Sequence, residues 1–487
     1  MDRTEHFTII ARDIGAILQF LALASAVPLI VSVIYSEWDV FIPMALVPLT
    51  FFILGSFLRT IPHSNKQARL SVALSAVAMI WLISSLIGAI PFYFVCGMPY
   101  IDCVFEAMSG WTTTGLTMTS NLDDFPKTIL FWRSFMQWLG GMGIVAFTVA
   151  MVNRSGLVQR GLYRSEARSE ALMPSVVDTG ALMWKIYGIL TLTGIGIVML
   201  SGVGLWDATN LVFSAISSGG FTMYDSGIAS YNNQFLEILL IPVMIAGALP
   251  FKLYYVLYAK RFFGFFRDMQ AVFLLAIIAF GIMVITFDLF QIVGLLLPDS
   301  IRYGLFMAVS AATSTGFQNT DLSYWPHATI LFLCALMVIG GSTGSTAGGI
   351  KLGRVQICYE GLIWWFRRIF ISGKAVIPFR HEGRIIPKMI AEYEISKNML
   401  IIILYIIILF SSTILFLQFE GQFADTSRII FEVISAMSNN GMSSGPISPA
   451  ISNESKIIFI LLMWLGRLEV IPIIVLVVGL AKGFDRA

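Results

Sequence analysis

The residues in this chain best suited to chemistry sit in four short hydroxyl-rich turns. Placed on a shared glycine they read SGWTTTGL (109–116), SAISSGGF (214–221), SAATSTGF (310–317) and SAMSNNGM (435–442). Counting back from Gly115, Gly220, Gly316 and Gly441, the sixth residue is Ser in all four and the third is Ser or Thr. The fifth is Gly or Ala, and the residue after the glycine is Leu, Phe or Met. Backbone carbonyls together with Ser and Thr hydroxyls can replace the water shell of a monovalent cation. Glycine fits where the backbone needs φ > 0 or must pack closely. Ordinary loops are also rich in these residues, so one copy would mean little. Four copies, 105, 96 and 125 residues apart, read as a repeated unit.

The rest of the chain says where such turns would have to work. Of 487 residues, 57% are hydrophobic and 12% charged, against about 25% charged in a soluble domain. The mean hydropathy is +0.82. These values exclude an ordinary cytosolic enzyme, a disordered chain and a nucleic-acid binder, and they describe a polytopic membrane protein. Residues 1–13 mix both charge signs and do not read as a cleaved signal. Apolar runs long enough to span occur at 14–36, 40–58, 70–101, 134–153, 186–206, 269–287, 328–350 and 398–419. Two more, 235–259 and 457–481, carry charges, which makes ten expected helices.

With the N-terminus inside, the cytoplasmic windows hold 25 Lys/Arg and 12 Asp/Glu, and the outer windows hold 4 and 15. Excess Lys/Arg marks the cytoplasmic side, so both termini are expected there. The acidic outer face would concentrate cations, although any outer surface purged of Lys/Arg turns acidic. Arg133 and Arg467 are the basic residues left inside the membrane. Each turn follows a stretch of roughly ten residues, such as 102–111 or 303–312, too short to span but suited to a re-entrant segment. Non-helical backbone at that depth is tolerated only when buried in protein or lining a water-filled path. The expected unit is therefore helix, half-helix, polar turn, helix, repeated four times around a central pore.

Three runs add to the turns. IGGSTGSTAGGIK (339–351) interrupts a helix with small residues, WLGRLEV (464–470) carries Arg467, and FWRSFMQWLGGMGI (131–144) follows the first turn. On these residues the chain resembles the Trk/Ktr/HKT superfamily of potassium transporters over essentially its whole length. The two helices before the first unit fit the bacterial TrkH/TrkG branch. The resemblance implies an extension over 1–69 and four units over 70–168, 169–268, 269–395 and 396–487. It also implies potassium uptake at a multi-pass site in the bacterial inner membrane, with potassium as the transported ion and no cofactor. Thr113, Thr114, Ser218, Gly219, Ser314, Thr315, Asn439 and Asn440 would coordinate the ion, with Gly115, Gly220, Gly316 and Gly441 setting the turns. A gate is expected from Arg467 and from Gly344, Ser345, Thr346, Gly348, Gly349 and Lys351 of the loop 339–351. The implied partners are the lipid bilayer, a second copy of the chain, and a cytosolic TrkA-type nucleotide-binding ring docking on the basic, aromatic segment 351–397; no nucleic acid is implied. The second glycine of potassium-channel filters is absent and the four turns differ, so coordination should be less symmetric. In the superfamily, glycine rather than Ser at the shared position favours potassium.

Other constellations have plainer readings. The run 339–351 fails the phosphate-loop pattern, since Ile350 and Leu352 flank Lys351. Close helix packing is its bland alternative. Arg467 is expected mid-helix, facing the pore or an ion pair. Asp102, Glu106, Asp207 and Glu432 are expected near the outer ends of the half-helices, as caps or, as the alternative, lining the vestibule. Neither the four histidines nor the four cysteines form a catalytic or zinc pattern. A sodium-selective or sodium-coupled carrier is the rival within transport. A membrane-embedded lipid-modifying enzyme is the rival outside it, but it lacks the clustered acids and histidines it would need.

Overall fold

The computed structural model describes residues 3–61, 70–119, 121–143, 176–258, 268–370, 377–381, 384–420 and 425–483. It is an all-α membrane architecture apart from a small antiparallel ribbon, Phe379–His381 with Arg384–Ile386. Two spans come first, Arg3–Ala24 running on into Val27–Ile34, then Trp38–Thr60. They cross at Gly15 and Gly55, where a Cβ on either would press on the other's carbonyl oxygen. Small residues let membrane helices approach this closely.

Four rounds of the same pattern follow. Leu70–Gly88 with Ile90–Cys96 leads to the half-helix Tyr100–Trp111 and then Lys127–Met142. Val176–Met199 leads to Leu205–Ile216 and then Gln234–Ala248 with Phe251–Tyr258. Met269–Asp288 leads to Leu297–Ala312, His327–Ile339 and, after a non-helical loop, Leu352–Phe370. Lys388–Glu420 leads to Thr426–Met437 and then Asn453–Leu468 with Ile471–Lys482. Three half-helices are 12 residues long, about 18 Å at 1.5 Å per residue, little more than half the hydrocarbon thickness. They reach membrane depth and must turn back there.

The breaks differ from the uninterrupted runs read in the sequence. The run 235–259 bends by 100°, at Pro250, and 457–481 bends by 109°. At the second bend Glu469 and Val470 take φ of 56° and 71°, and Pro472 restarts the helix. Arg467 therefore lies in the last turn of a helix, and its expected mid-helix position is corrected. The run 70–101 steps at Ala89, where Pro91 opens the second piece, and ends at Gly97 in the left-handed region. The helix expected over 134–153 begins earlier, at Lys127, and stops at Met142; 144–153 lie outside the described residues. Among the described residues, six helices are long and apolar enough to cross a membrane, or eight with each bent pair as one. The shorter Lys127–Met142 and His327–Ile339 account for the difference from ten.

The apolar core forms two large clusters. One joins the N-terminal spans to the first and fourth rounds, and the other joins the second and third. The polar turns bridge the two bodies. In the segment 351–397, Trp364 is buried against Phe379 and donates to the Ile377 carbonyl, while Trp365 and Phe366 are exposed. The expected aromatic surface there thus loses one of its three members to a small local core.

Candidate ion pathway

Each half-helix ends the same way. The third residue before the shared glycine (Thr112, Ser217, Thr313, Ser438) is the C-cap. The next residue is left-handed without being glycine: Thr113, Ser218, Ser314 and Asn439 have φ of 55°, 53°, 55° and 48°. Its N–H returns to the carbonyl three residues back, and the following N–H returns five residues back, as in Thr114 to Ser109, Gly219 to Ser214, Thr315 to Ser310 and Asn440 to Ser435. This is a Schellman closure, which normally recruits glycine at the left-handed position. A side chain there costs roughly 1–2 kcal/mol, so four repetitions mark strain retained for a purpose. The repeated Ser six residues back also has a reason. Ser109 and Ser435 accept from the Gly115 and Gly441 N–H groups, and Ser310 donates to the Phe317 carbonyl.

The turns close into a ring. Gly115, Gly220, Gly316 and Gly441 have φ of 96°, 79°, 79° and 88°. A Cβ on Gly115 would collide with the Gly219 carbonyl oxygen, on Gly220 with that of Thr315, on Gly316 with that of Asn440, and on Gly441 with that of Thr114. Each glycine thus seats the carbonyl preceding the glycine of the next turn, and the fourth returns to the first. Side chains tie the same circuit, with Asn439 Nδ2 donating to Thr114 Oγ1 (2.9 Å) and Asn440 Nδ2 to the Ala311 carbonyl (3.1 Å). The negative ends of four helix dipoles meet at this ring, which favours a cation. All eight residues read as ion ligands are buried in these turns.

Beneath the ring lies the loop after Ile339. Thr346 Oγ1 donates to the Ile216 or Gly247 carbonyl, both at 2.9 Å, and accepts from Ser218 Oγ of the second turn at 2.8 Å. Gly348 backs directly on the Ser438 carbonyl, where a Cβ would not fit. Gly344 and Gly349 are left-handed, and the Gly344 carbonyl accepts from the Phe251 N–H at the second round's bend. Ser345 Oγ donates to the Ser342 carbonyl, and Lys351 Nζ to that of Ala347. Arg467 completes the floor. Its guanidinium donates to Thr113 Oγ1 (3.1 Å), the Thr346 carbonyl (3.0 Å) and the Gly140 and Gly141 carbonyls (2.5 and 3.2 Å). An ion pair of Arg467 with Glu432 or Glu469, the alternative to its pore role, does not form. Glu469 pairs with Arg354, and Glu432 holds the fourth turn.

Asp102 and Asp207 lie in the first turns of their half-helices, as expected, though each bonds a side chain rather than a cap N–H. Glu106 and Glu432 lie deeper and do not cap. Glu106 instead accepts from the Met118 N–H (2.9 Å), Thr117 Oγ1 and Arg133 Nε (2.7 Å), bracing the segment above the first glycine. Glu432 braces the fourth through the Ser444 N–H and the Ser443 and Ser444 hydroxyls. Asp102 pairs with Lys456 at 2.6 Å. Asp207 accepts from Tyr231, whose hydroxyl is held far above its usual pKa, chiefly by burial and then by that carboxylate.

Arg133 also reaches the Thr222 carbonyl (2.9 Å) and stacks on Phe221, tying the first turn to the second. Glu106 and Arg133 are 0% and 1% exposed. Removing one partner of such a pair strands a buried charge, so Arg133→Met should lower stability by about 3–5 kcal/mol. The readout is the thermal midpoint of purified protein; an unchanged midpoint would contradict the bracing role.

Above the ring a cavity of about 470 Å³ opens, lined by all four glycines with Arg133, Asp225 and Asp321 among others. Gln137, Gln318 and Asn319 also hold the site, although none is marked as a site residue by the motifs read in the sequence. Gln318 grips the fourth turn through the Ser443 N–H and carbonyl, and Asn319 donates to Glu237, itself paired with Arg302. The signal available for Gln137 was a lone amide in the otherwise apolar run that also isolates Arg133.

Comparisons with known proteins agree with this architecture. The family described as TrkH, cation transport protein, matches residues 48–483. An uncharacterized cation transporter of Methanocaldococcus jannaschii is 36% identical, covering 95% of this chain and 94% of that protein. The Trk system potassium uptake protein TrkH of Halomonas elongata is 29% identical over 96% of this chain and 97% of its own length. TrkG of Escherichia coli K12 is 28% identical over 98% and 99%. The crystal structure of the potassium transporter TrkH from Vibrio parahaemolyticus superposes with a TM-score of 0.83 at 23% identity, over 96% of this chain and 98% of that one.

Proposed function

The chain belongs to the TrkH family of cation transport proteins, and we propose that it carries potassium into the cell through the ring of four turns. The observation that supports this best is the cyclic seating of each turn glycine on the next turn's carbonyl. In this reading Thr113, Thr114, Ser218, Gly219, Ser314, Thr315, Asn439 and Asn440 replace the ion's hydration shell, and the glycines leave room for the carbonyls. Arg467 and the loop residues Gly344, Ser345, Thr346, Gly348, Gly349 and Lys351 close the path from below. An inside-negative potential contributes about 2.3 kcal/mol per charge per 100 mV. Accumulation then needs no ATP hydrolysis by this chain.

The charge asymmetry supports a cytoplasmic-membrane location with both termini inside. The unit boundaries at 69/70, 168/169, 268/269 and 395/396 follow the fourfold repeat. Relatives named as parts of a Trk system support further components of such a system, and in this reading these are a second copy of the chain and a gating cytosolic TrkA-type ring. The exposed Trp365, Phe366, Arg367 and Arg368 of 351–397 are its docking surface in this reading.

The test is uptake in cells lacking their own potassium uptake, followed by flux in vesicles of purified protein with potassium replaced by sodium. Growth at low potassium and faster potassium flux are expected. Equal sodium flux would overturn the potassium assignment in favour of a sodium-carrying relative on the same scaffold.

A further inference from the structure

The four turns are not braced alike, and the exception is specific. In the first, third and fourth the repeated Ser bonds to its own turn. In the second, the Ser214 hydroxyl has no partner among the described residues. There a side chain from the preceding unit takes over. Gln137, fully buried on Lys127–Met142, donates from Nε2 to the Gly219 carbonyl at 2.6 Å and accepts from the Phe221 N–H at 3.1 Å. Gly219 is also the one glycine among the four residues that precede the shared glycines; the others are Thr114, Thr315 and Asn440. A Cβ on Gly219 would fall inside the Gln137 carboxamide. The missing side chain at 219 and the amide at 137 are thus two halves of one feature.

We infer that Gln137 is a specificity-determining residue, setting the ring's preference among monovalent cations through the Gly219 carbonyl. The inference rests on the potassium-filter reading above. Of the four carbonyls seated on glycines, only that of Gly219 receives a hydrogen bond from a side chain among the described residues. An N–H on a carbonyl occupies one lone pair and fixes its direction, which weakens the field that it presents to an ion. Selection between monovalent cations depends on the number and field strength of such dipoles and on cavity size. Freeing this carbonyl strengthens its field and lets the turn move inward, and both changes favour the smaller sodium ion.

The experiment is the rubidium-to-sodium flux ratio in vesicles of the purified full chain, for wild type, Gln137→Leu and Gln137→Met. Each substitution should lower the ratio about fivefold, the scale of one buried hydrogen bond. Gln137→Met keeps the length of the side chain with no donor, so it carries the comparison if the Leu variant fails to fold. Wild-type ratios in folded Gln137→Leu and Gln137→Met would overturn the role of Gln137 and leave the filter standing. A wild type that does not discriminate would overturn the potassium reading itself, and this role with it.

Discussion

Gly316→Ala is expected to abolish potassium uptake, and Gly441→Ala to do the same. Two costs coincide at these sites. The backbone is left-handed, with φ of 79° and 88°, which charges a side chain roughly 1–2 kcal/mol. The larger cost is steric. The new methyl would lie within 3.0 Å of the Asn440 or Thr114 carbonyl oxygen, closer than real Cβ atoms come. That carbonyl is backbone, so it can yield only by distorting the ring that binds the ion. Gly294 separates the two costs, because its φ is 78° but nothing lies within 4 Å of its missing Cβ. Gly294→Ala should keep uptake near wild type. Matched uptake in Gly316→Ala and Gly294→Ala would show that ring closure does not matter to transport.

Arg467→Ala should raise cation flux by tenfold or more. Two unit charges about 4 Å apart repel by about 4 kcal/mol at an effective dielectric of 20, so a guanidinium on Thr113 Oγ1 is a substantial barrier to an ion leaving the ring. The same side chain holds the Thr346 carbonyl of the loop and the Gly140 and Gly141 carbonyls. Its removal therefore lowers the electrostatic barrier and loosens the plug together. Arg467→Lys keeps the charge without the fork of donors and should fall between. Deleting part of 342–349 should increase leak with the arginine still present. Unchanged flux in vesicles of Arg467→Ala would remove the barrier role, and unchanged flux after the deletion would leave the loop as packing only.

Much of this was legible because the repeat is a backbone feature written in small residues. Ser at one position, Ser or Thr three residues later and glycine three after that encode a helix end, a C-cap and a left-handed turn. The loop at 339–351 was legible for the same reason. Arg467 is marked by its charge, but its place near a helix end is not, because 457–481 is long enough to span and apolar apart from Arg467 and Glu469. The break depends on left-handed Glu469 and Val470, neither of which is a residue that announces such a conformation. Glu106 and Glu432 suggest caps or vestibule groups in the sequence because helix ends are local, whereas their partners Met118 and Ser444 lie 12 residues on, across the turn. The role of Gln137, beyond its being a lone amide in an apolar run, is hidden for a related reason. Its partners Gly219 and Phe221 belong to the next unit, 82 and 84 residues away. Contacts between units are made by the closure of the ring, which no single stretch of sequence contains.

The most direct test of the account is to locate the ion. Crystals of the full chain grown with rubidium or thallium in place of potassium should show anomalous density on the axis of the ring. It should lie within coordination distance of the Thr114, Gly219, Thr315 and Asn440 carbonyls and above Arg467. Density away from these carbonyls, with the ring itself empty at saturating rubidium, would contradict the claim that the four turns form the cation path.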